Sequence, residues 1–257
     1  GTGKTQILTL RIANILLKTQ INPENILALT FSEAASFEMR KRLSEIIGTS
    51  AYRAEISTFH SFANSIIKNY PDEFPFLLSS ESITEVEQLE LVEGLLNSLD
   101  LKVLKPFGDP IYYNKDILSA IKKNKKENII PVILEDAIKK QELDFGNIED
   151  LYHEKGKYEG KIKGKYQDLK RDIEKSKEFL TVFVAYQKAL IDEKKYDFND
   201  MLLETIKVLK TNKSLLLRVQ EKFQYILIDE HQDTNAAQNK LVELVASFYE
   251  IPNLFVV

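Results

Sequence analysis

The chain contains no cysteine. That absence excludes a disulfide framework and any zinc site built on thiolates, and it fits a reducing cytoplasm. An apolar run long enough to span a bilayer is also missing, and a charged fraction of 29% argues further against a membrane protein. There is no excess of positive charge: the formal net charge is −4, so nucleic acid, if bound, must be held by a local surface rather than a broad field. There is no initiator methionine, and the opening residues hide any targeting segment. What remains is ordinary globular material. With 257 residues and 44% hydrophobic content, the chain can bury one large core or two small ones.

Chemistry is concentrated in two distant segments. Gly1-Thr-Gly-Lys-Thr5 is the right half of the phosphate-loop pattern G-x-x-x-x-G-K-[ST], in which backbone N–H groups cradle phosphates, the lysine reaches the terminal phosphates and the hydroxyl binds Mg²⁺. Far downstream, Ile226-Leu-Ile-Asp-Glu-His-Gln-Asp-Thr-Asn235 places two carboxylates at the end of an apolar run of buried-strand type. A Gly-Lys-Thr triplet alone also occurs in ordinary turns. Joined to an amphipathic helix and a distant Asp-Glu pair, it reads as nucleotide hydrolysis, because that reaction needs cradle, metal ligand and base together. Gly1, Thr2, Gly3, Lys4, Thr5 and Gln6 are the expected nucleotide contacts. Thr5 and Asp229 are expected to hold Mg²⁺, and Glu230 to orient and polarise the attacking water. Gln232 is close enough to sense the γ-phosphate, with a turn-forming amide as the plainer alternative. His231 is expected at the surface or in packing, pointing away from its neighbours if the strand persists.

The segments around these motifs alternate. A helix follows the loop from Gln6 to Leu17, then a buried strand Asn25–Phe31, a helix from about Glu33 to Ile47 closed by Gly48, a strand Glu55–Thr58, and a helix Phe59–Lys68 that breaks at Pro71. Strand, helix, strand, helix is the order of a doubly wound parallel α/β sheet. From about Glu81 to Lys195 the pattern turns helical: Ile83–Leu99, Pro110–Lys123, Pro131–Lys140 and a long charged helix Lys165–Lys195. We read 81–195 as an inserted all-α domain, with the sheet resuming at Tyr196-Asp-Phe198 and at Tyr225–Asp229, so that 1–80 and 196–257 form the α/β domain. Asn253-Leu-Phe-Val-Val257 reads as a buried strand cut at its last residue, and half a phosphate loop reads as a fragment's start. The Gly-spaced basic run Lys155–Tyr166 is either a solvated loop or a contact to nucleic-acid phosphates with tyrosine stacking.

Several of these segments together resemble the UvrD/Rep/PcrA group of superfamily 1 helicases. Asp229-Glu-His-Gln-Asp-Thr-Asn235 with Gln238 looks like motif II of that group and Gly1–Thr5 like its motif I. Ala28-Leu-Thr-Phe-Ser-Glu-Ala-Ala35 with Glu38-Met-Arg40 is similar to motif Ia, Ile56-Ser-Thr-Phe-His-Ser-Phe62 to motif Ib, and Asp197–Leu202 to the segment that re-enters the first motor domain. The resemblance runs in the family's order over nearly the whole chain. It implies a RecA-like P-loop sheet with helices on both faces, ATP and Mg²⁺ as cofactors, and translocation on single-stranded DNA, normally 3′ to 5′, with separation of duplex at junctions. Thr30, Phe31, Ser32, Thr58, Phe59, His60 and Ser61 match positions that line the DNA path. A strand-end hydroxyl can bond a phosphate and an aromatic ring can stack on an unpaired base; core packing for Phe31 and Phe59, and helix capping for Thr58 and Ser61, are the alternatives.

The departures are specific. Glu33-Ala34 stands where many members have Asn-Lys, a pattern shared by some recombination-type relatives; Gln6 replaces an arginine that packs on adenine; and His231 replaces an aromatic. None touches Lys4, Thr5, Asp229 or Glu230. The resemblance also implies a second motor domain of the same polypeptide, carrying the arginine that completes the ATP site, so this piece alone is expected to bind nucleotide weakly, hydrolyse it slowly and unwind nothing. An ATP-switched DNA-binding module and a motor subunit of a helicase–nuclease are the alternatives.

Overall fold

The structure is a computed structural model and describes residues 3–257. In chain order it runs α1 (Lys4–Lys18), β1 (Ile26–Thr30), α2 (Glu33–Ile47), β2 (Glu55–Thr58), α3 (Phe59–Asn69), the single turn α4 (Pro75–Leu78), β3 (Glu81–Ser82), α5 (Glu85–Ser98), α6 (Asn114–Lys126) and α7 (Pro131–Gly146). It continues with α8 (Gln167–Asp192), β4 (Lys195–Tyr196), α9 (Phe198–Thr211), α10 (Lys213–Lys222), β5 (Tyr225–Ile228), α11 (Ala236–Ala246) and β6 (Leu254–Val256). Two compact units result: one holds the chain up to Ser79 and again Phe198–Val257, the other Ser80–Asp197.

The first unit is built on a parallel sheet of order β2-β1-β5-β6. All five residues of β1 are buried. A central parallel strand is covered on both faces, which is why Ile26-Leu-Ala-Leu-Thr30 is a continuous apolar run rather than an alternating one. Ile26, Ala28, Ile56 and Leu227 pack against Leu8 and Ile12 of α1 and Met39 and Leu43 of α2. Strand alternation turns Leu27, Leu29, Ile226 and Ile228 to the opposite face, where they are also buried. There α3 packs on β1, β2 and α9, and α9 on α11. Each fully buried leucine or isoleucine contributes about 1.5–3 kcal/mol of transfer free energy, and cutting Leu8 back to alanine would cost about 2–5 kcal/mol.

Helix ends follow local chemistry. Ser32 caps α2 by accepting from Ala35 N, and Gly48 closes it at φ 67°, ψ −148°, a conformation open essentially only to glycine. Thr58 caps α3 by accepting from Ser61 N, and Asn235 with Gln238 forms a capping box on α11.

The second unit centres on Val92 and Leu96 of α5, Ile117, Leu118 and Ile121 of α6, and Val182, Phe183, Tyr186 and Leu190 of α8. A capping box of Thr84 and Glu87 starts α5, and Pro131 takes the first position of α7. The irregular segment after α5 is held by one carboxylate: Glu178 accepts from the backbone N–H groups of Lys102, Val103 and Leu104 at 2.8–3.1 Å. Lys125 and Asp197 form a buried ion pair at 2.5 Å, with Tyr186 Oη donating to the same carboxylate at 3.2 Å.

Four expectations need correction. The main sheet does not resume at Tyr196: Lys195-Tyr196 pairs in parallel with Glu81-Ser82 in a separate two-stranded ribbon, and Phe198 already starts a helix. The unit is therefore not purely helical, because its two chain crossings zip together over two residues. The helix expected from Pro110 starts at Asn114, and Pro110 lies in the turn before it. The 254–256 strand is not buried; β6 is an edge strand with Leu254 and Val256 exposed. β5 ends at Ile228 and the chain enters a tight turn, so the condition under which His231 would point away from its neighbours is not met. The basic run 155–166 folds on itself: His153 N donates to Lys161 O and Gly160 N to His153 O, and Asp150 pairs with Lys163 and Lys165.

Candidate nucleotide site and nucleic-acid track

In a parallel sheet all strands end on one edge, and that edge carries ligands in open α/β folds. β1 ends at Thr30 opposite Thr58 at the end of β2, and Leu29 lies opposite Ile228 at the end of β5. The segments 31–33, 59–61 and 229–232 therefore leave the sheet side by side, although about 200 residues separate the first from the last.

Lys4 and Thr5 open α1, where the backbone N–H groups and the helix dipole favour an anion. Thr5 Oγ1 donates to Asp229 Oδ2 at 2.9 Å. Lys4 Nζ lies 3.3 Å from Glu230 Oε2 and 3.4 Å from Gln232 Oε1, and Gln232 Nε2 donates to the same glutamate oxygen. Two segments that share no local sequence thus meet in one polar cluster. Asp229 is 2% exposed and fixed by its own N–H on Leu29 O at 2.9 Å. Lys4 and Glu230 keep 39% and 36% of their side chains open to solvent. Their contact is accessible to a competing ligand. The Gln232 amide, and after it the Lys4 ammonium, hold the Glu230 carboxyl below the usual carboxylate range, so it is ionised at neutral pH. Glu230 adopts a left-handed backbone, φ 50° and ψ 47°. For a residue other than glycine this carries strain of about 1–3 kcal/mol, and here it bends the chain so that Gln232 turns back toward Lys4.

The other candidate residues divide. Phe31 is 60% exposed and Ser32 is exposed beside it. Thr58 and Ser61 both donate to Glu33 Oε1, at 2.9 and 2.6 Å. His60 stacks on Phe198 with ring centroids 3.7 Å apart, which covers one ring face. Two residues fall out of the expected track. Phe59 is 1% exposed and packed in the core, leaving no face for a base, and Thr30 is fully buried with its hydroxyl engaged by Ser32 O and Ser36 Oγ. Gln6 is exposed on α1; Gly1 and Thr2 lie outside the described residues. The sequence marked Glu33 only as a departure from the family pattern, not as the acceptor for Thr58 and Ser61. The hydroxyls clustered at the end of β2 were the available signal.

A parallel sheet with helices on both faces, a Lys-Thr pair opening the first helix and an Asp-Glu pair after a central strand define a RecA-like P-loop domain. The chain belongs to the UvrD/REP helicase N-terminal domain family, whose model matches residues 1–257. It is 33% identical over 257 residues to the ATP-dependent DNA helicase PcrA of Bacillus subtilis, covering 100% of this chain and 29% of that protein. It is 31% identical over 261 residues to a probable DNA helicase of Mycoplasma pneumoniae, covering 100% of this chain and 42% of that protein. A probable DNA helicase II homolog of Rickettsia conorii is 31% identical over 252 residues, covering 97% of this chain and 32% of that protein. The chain thus spans less than half the length of these relatives. No helix among the described residues is long and apolar enough to cross a membrane.

Proposed function

We propose that this chain supplies the nucleotide site and part of the DNA track of an ATP-dependent helicase that translocates 3′ to 5′ on single-stranded DNA. The convergence of Lys4 and Thr5 with Asp229, Glu230 and Gln232 carries this reading. Lys4 and the start of α1 neutralise terminal phosphates. Glu230, ionised and half-exposed, accepts a hydrogen bond from the attacking water and polarises it. Gln232 touches both Lys4 and Glu230 and so relays occupancy of the terminal phosphate position to the base.

The residues fit Mg²⁺. Thr5 and Asp229 offer one hydroxyl and one carboxylate side by side, and no cluster of three or more metal-ligating side chains occurs among the described residues. A sparse oxygen pair suits a cation that takes most of its ligands from phosphate oxygens and water. When bound, Mg²⁺ supplies charge neutralisation across the phosphates. Ser32, His60, Thr58 and Ser61, with exposed Phe31 as a stacking platform, form the track for single-stranded DNA. Residues 81–195 act as an accessory domain that guides DNA at duplex junctions. Further sequence of the same polypeptide supplies the second motor domain, without which hydrolysis is slow and unwinding absent. Glu33-Ala34 favours a recombination-type helicase–nuclease subunit as the variant of this reading.

The test is ATP hydrolysis by the full-length protein with and without single-stranded DNA. Strong stimulation by DNA is expected, whereas a rate indifferent to DNA would overturn the motor assignment.

A further inference from the structure

One oxygen of the Glu33 carboxylate accepts from both Ser61 Oγ, at 2.6 Å, and Thr58 Oγ1, at 2.9 Å. A hydroxyl has one proton to give, and a carboxylate only accepts. Both protons are therefore committed to Glu33, while Thr58 Oγ1 also accepts from Ser61 N at 3.2 Å. The Ser61 and Thr58 bonds, aided by the nearby Arg40 charge, hold the Glu33 carboxyl below the usual range. It stays charged through neutral pH. A backbone phosphate, likewise acceptor-only, could be held by Ser61 or Thr58 only by taking the protons Glu33 already holds, and it would do so against a like charge.

We propose that Glu33 is an affinity-limiting residue of the nucleic-acid track, competing with backbone phosphate for the Ser61 and Thr58 hydroxyls and so weakening the grip on the strand at that point. A contact held weak in this way lets a strand advance past it without a deep trap. The inference rests on the proposed DNA track and sharpens it.

The experiment measures binding of fluorescent oligothymidylate to the full-length protein at several salt concentrations. Glu33→Ala should bind about tenfold tighter than wild type, since two donors are freed for a charged acceptor. Glu45→Ala, which removes an exposed carboxylate near the far end of α2, should change affinity by less than about twofold. Adding Ser61→Ala to Glu33→Ala should abolish most of the gain. Glu33→Gln, which keeps an acceptor for both hydroxyls and the first turn of α2 intact, should gain clearly less than Glu33→Ala. The proposal is overturned if Glu33→Ala binds no tighter than Glu45→Ala, if its gain survives loss of Ser61, or if Glu33→Gln matches it. Failure of every form, wild type included, to bind oligothymidylate would instead remove the track reading itself.

Discussion

Two lysine–carboxylate pairs join residues far apart in the chain, and they differ in nearly every physical respect. Lys4 and Glu230 meet at 3.3 Å with over a third of each side chain in solvent. Lys125 and Asp197 meet at 2.5 Å with 0% and 2% exposed. The first pair costs little to part, and in the proposed site Lys4 exchanges its partner for a phosphate. The second has lost its water on both sides, so separating it leaves a stranded charge in the core of the second unit. Burial decides whether such a pair is a tool or a fastener.

The largest effect expected concerns the exposed pair. Glu230→Gln in the full-length protein should lower ATP hydrolysis by about 10²–10⁴-fold while leaving the thermal midpoint near wild type. A large fall in melting temperature would dissolve the contrast. For the buried pair the expectation reverses: Lys125→Ala should destabilise the second unit by about 3–5 kcal/mol in urea titrations, whereas Lys125→Met with Asp197→Leu should come close to neutral. If the single substitution proves harmless, Lys125 is no fastener.

A third arrangement lies between the two extremes. Thr84 and Glu87 cap α5, and Glu87 also reaches Lys195 at 3.2 Å. Thr84→Ala should cost about 1 kcal/mol. The backbone N–H and hydroxyl of Thr84, followed by Lys195, lower the Glu87 carboxyl to about 2. Its stabilisation is thus complete above the ordinary glutamate range and fades as pH falls from about 4.5 toward 2. Melting Glu87→Gln beside wild type across that window should show a deficit at neutral pH that closes on acidification. A deficit that stays constant would mean the carboxylate is not the stabilising form.

Much of the first unit could be read from its residues because local signals agreed with the tertiary solution. Gly48 closes α2 as its place after the helical run suggested, and the uniform burial of β1 follows from its unbroken apolar run. The meeting of Lys4 with Glu230 was foreseeable because hydrolysis requires both motifs at one place. The parts that were not legible depend on three-dimensional neighbours. Nothing in the local pattern distinguishes Phe59, which turns inward, from Phe31, which turns outward. The pairing of β4 with β3 involves two residues on each side, too few to leave a periodicity. Lys125 sits in a charged stretch at the end of α6, and only the fold reveals the carboxylate waiting 72 positions later.

The neighbour relation of β1 and β5 has a temporal side. About 200 residues must be synthesised after Thr30 before Tyr225 emerges, which at ordinary elongation rates is roughly ten to forty seconds. During that interval a buried strand has no partner on one side, while the whole of the second unit, Ser80–Asp197, is synthesised. In the cell the centre of the sheet is thus assembled late, and shielding of β1 on the ribosome becomes a requirement set by topology rather than by composition.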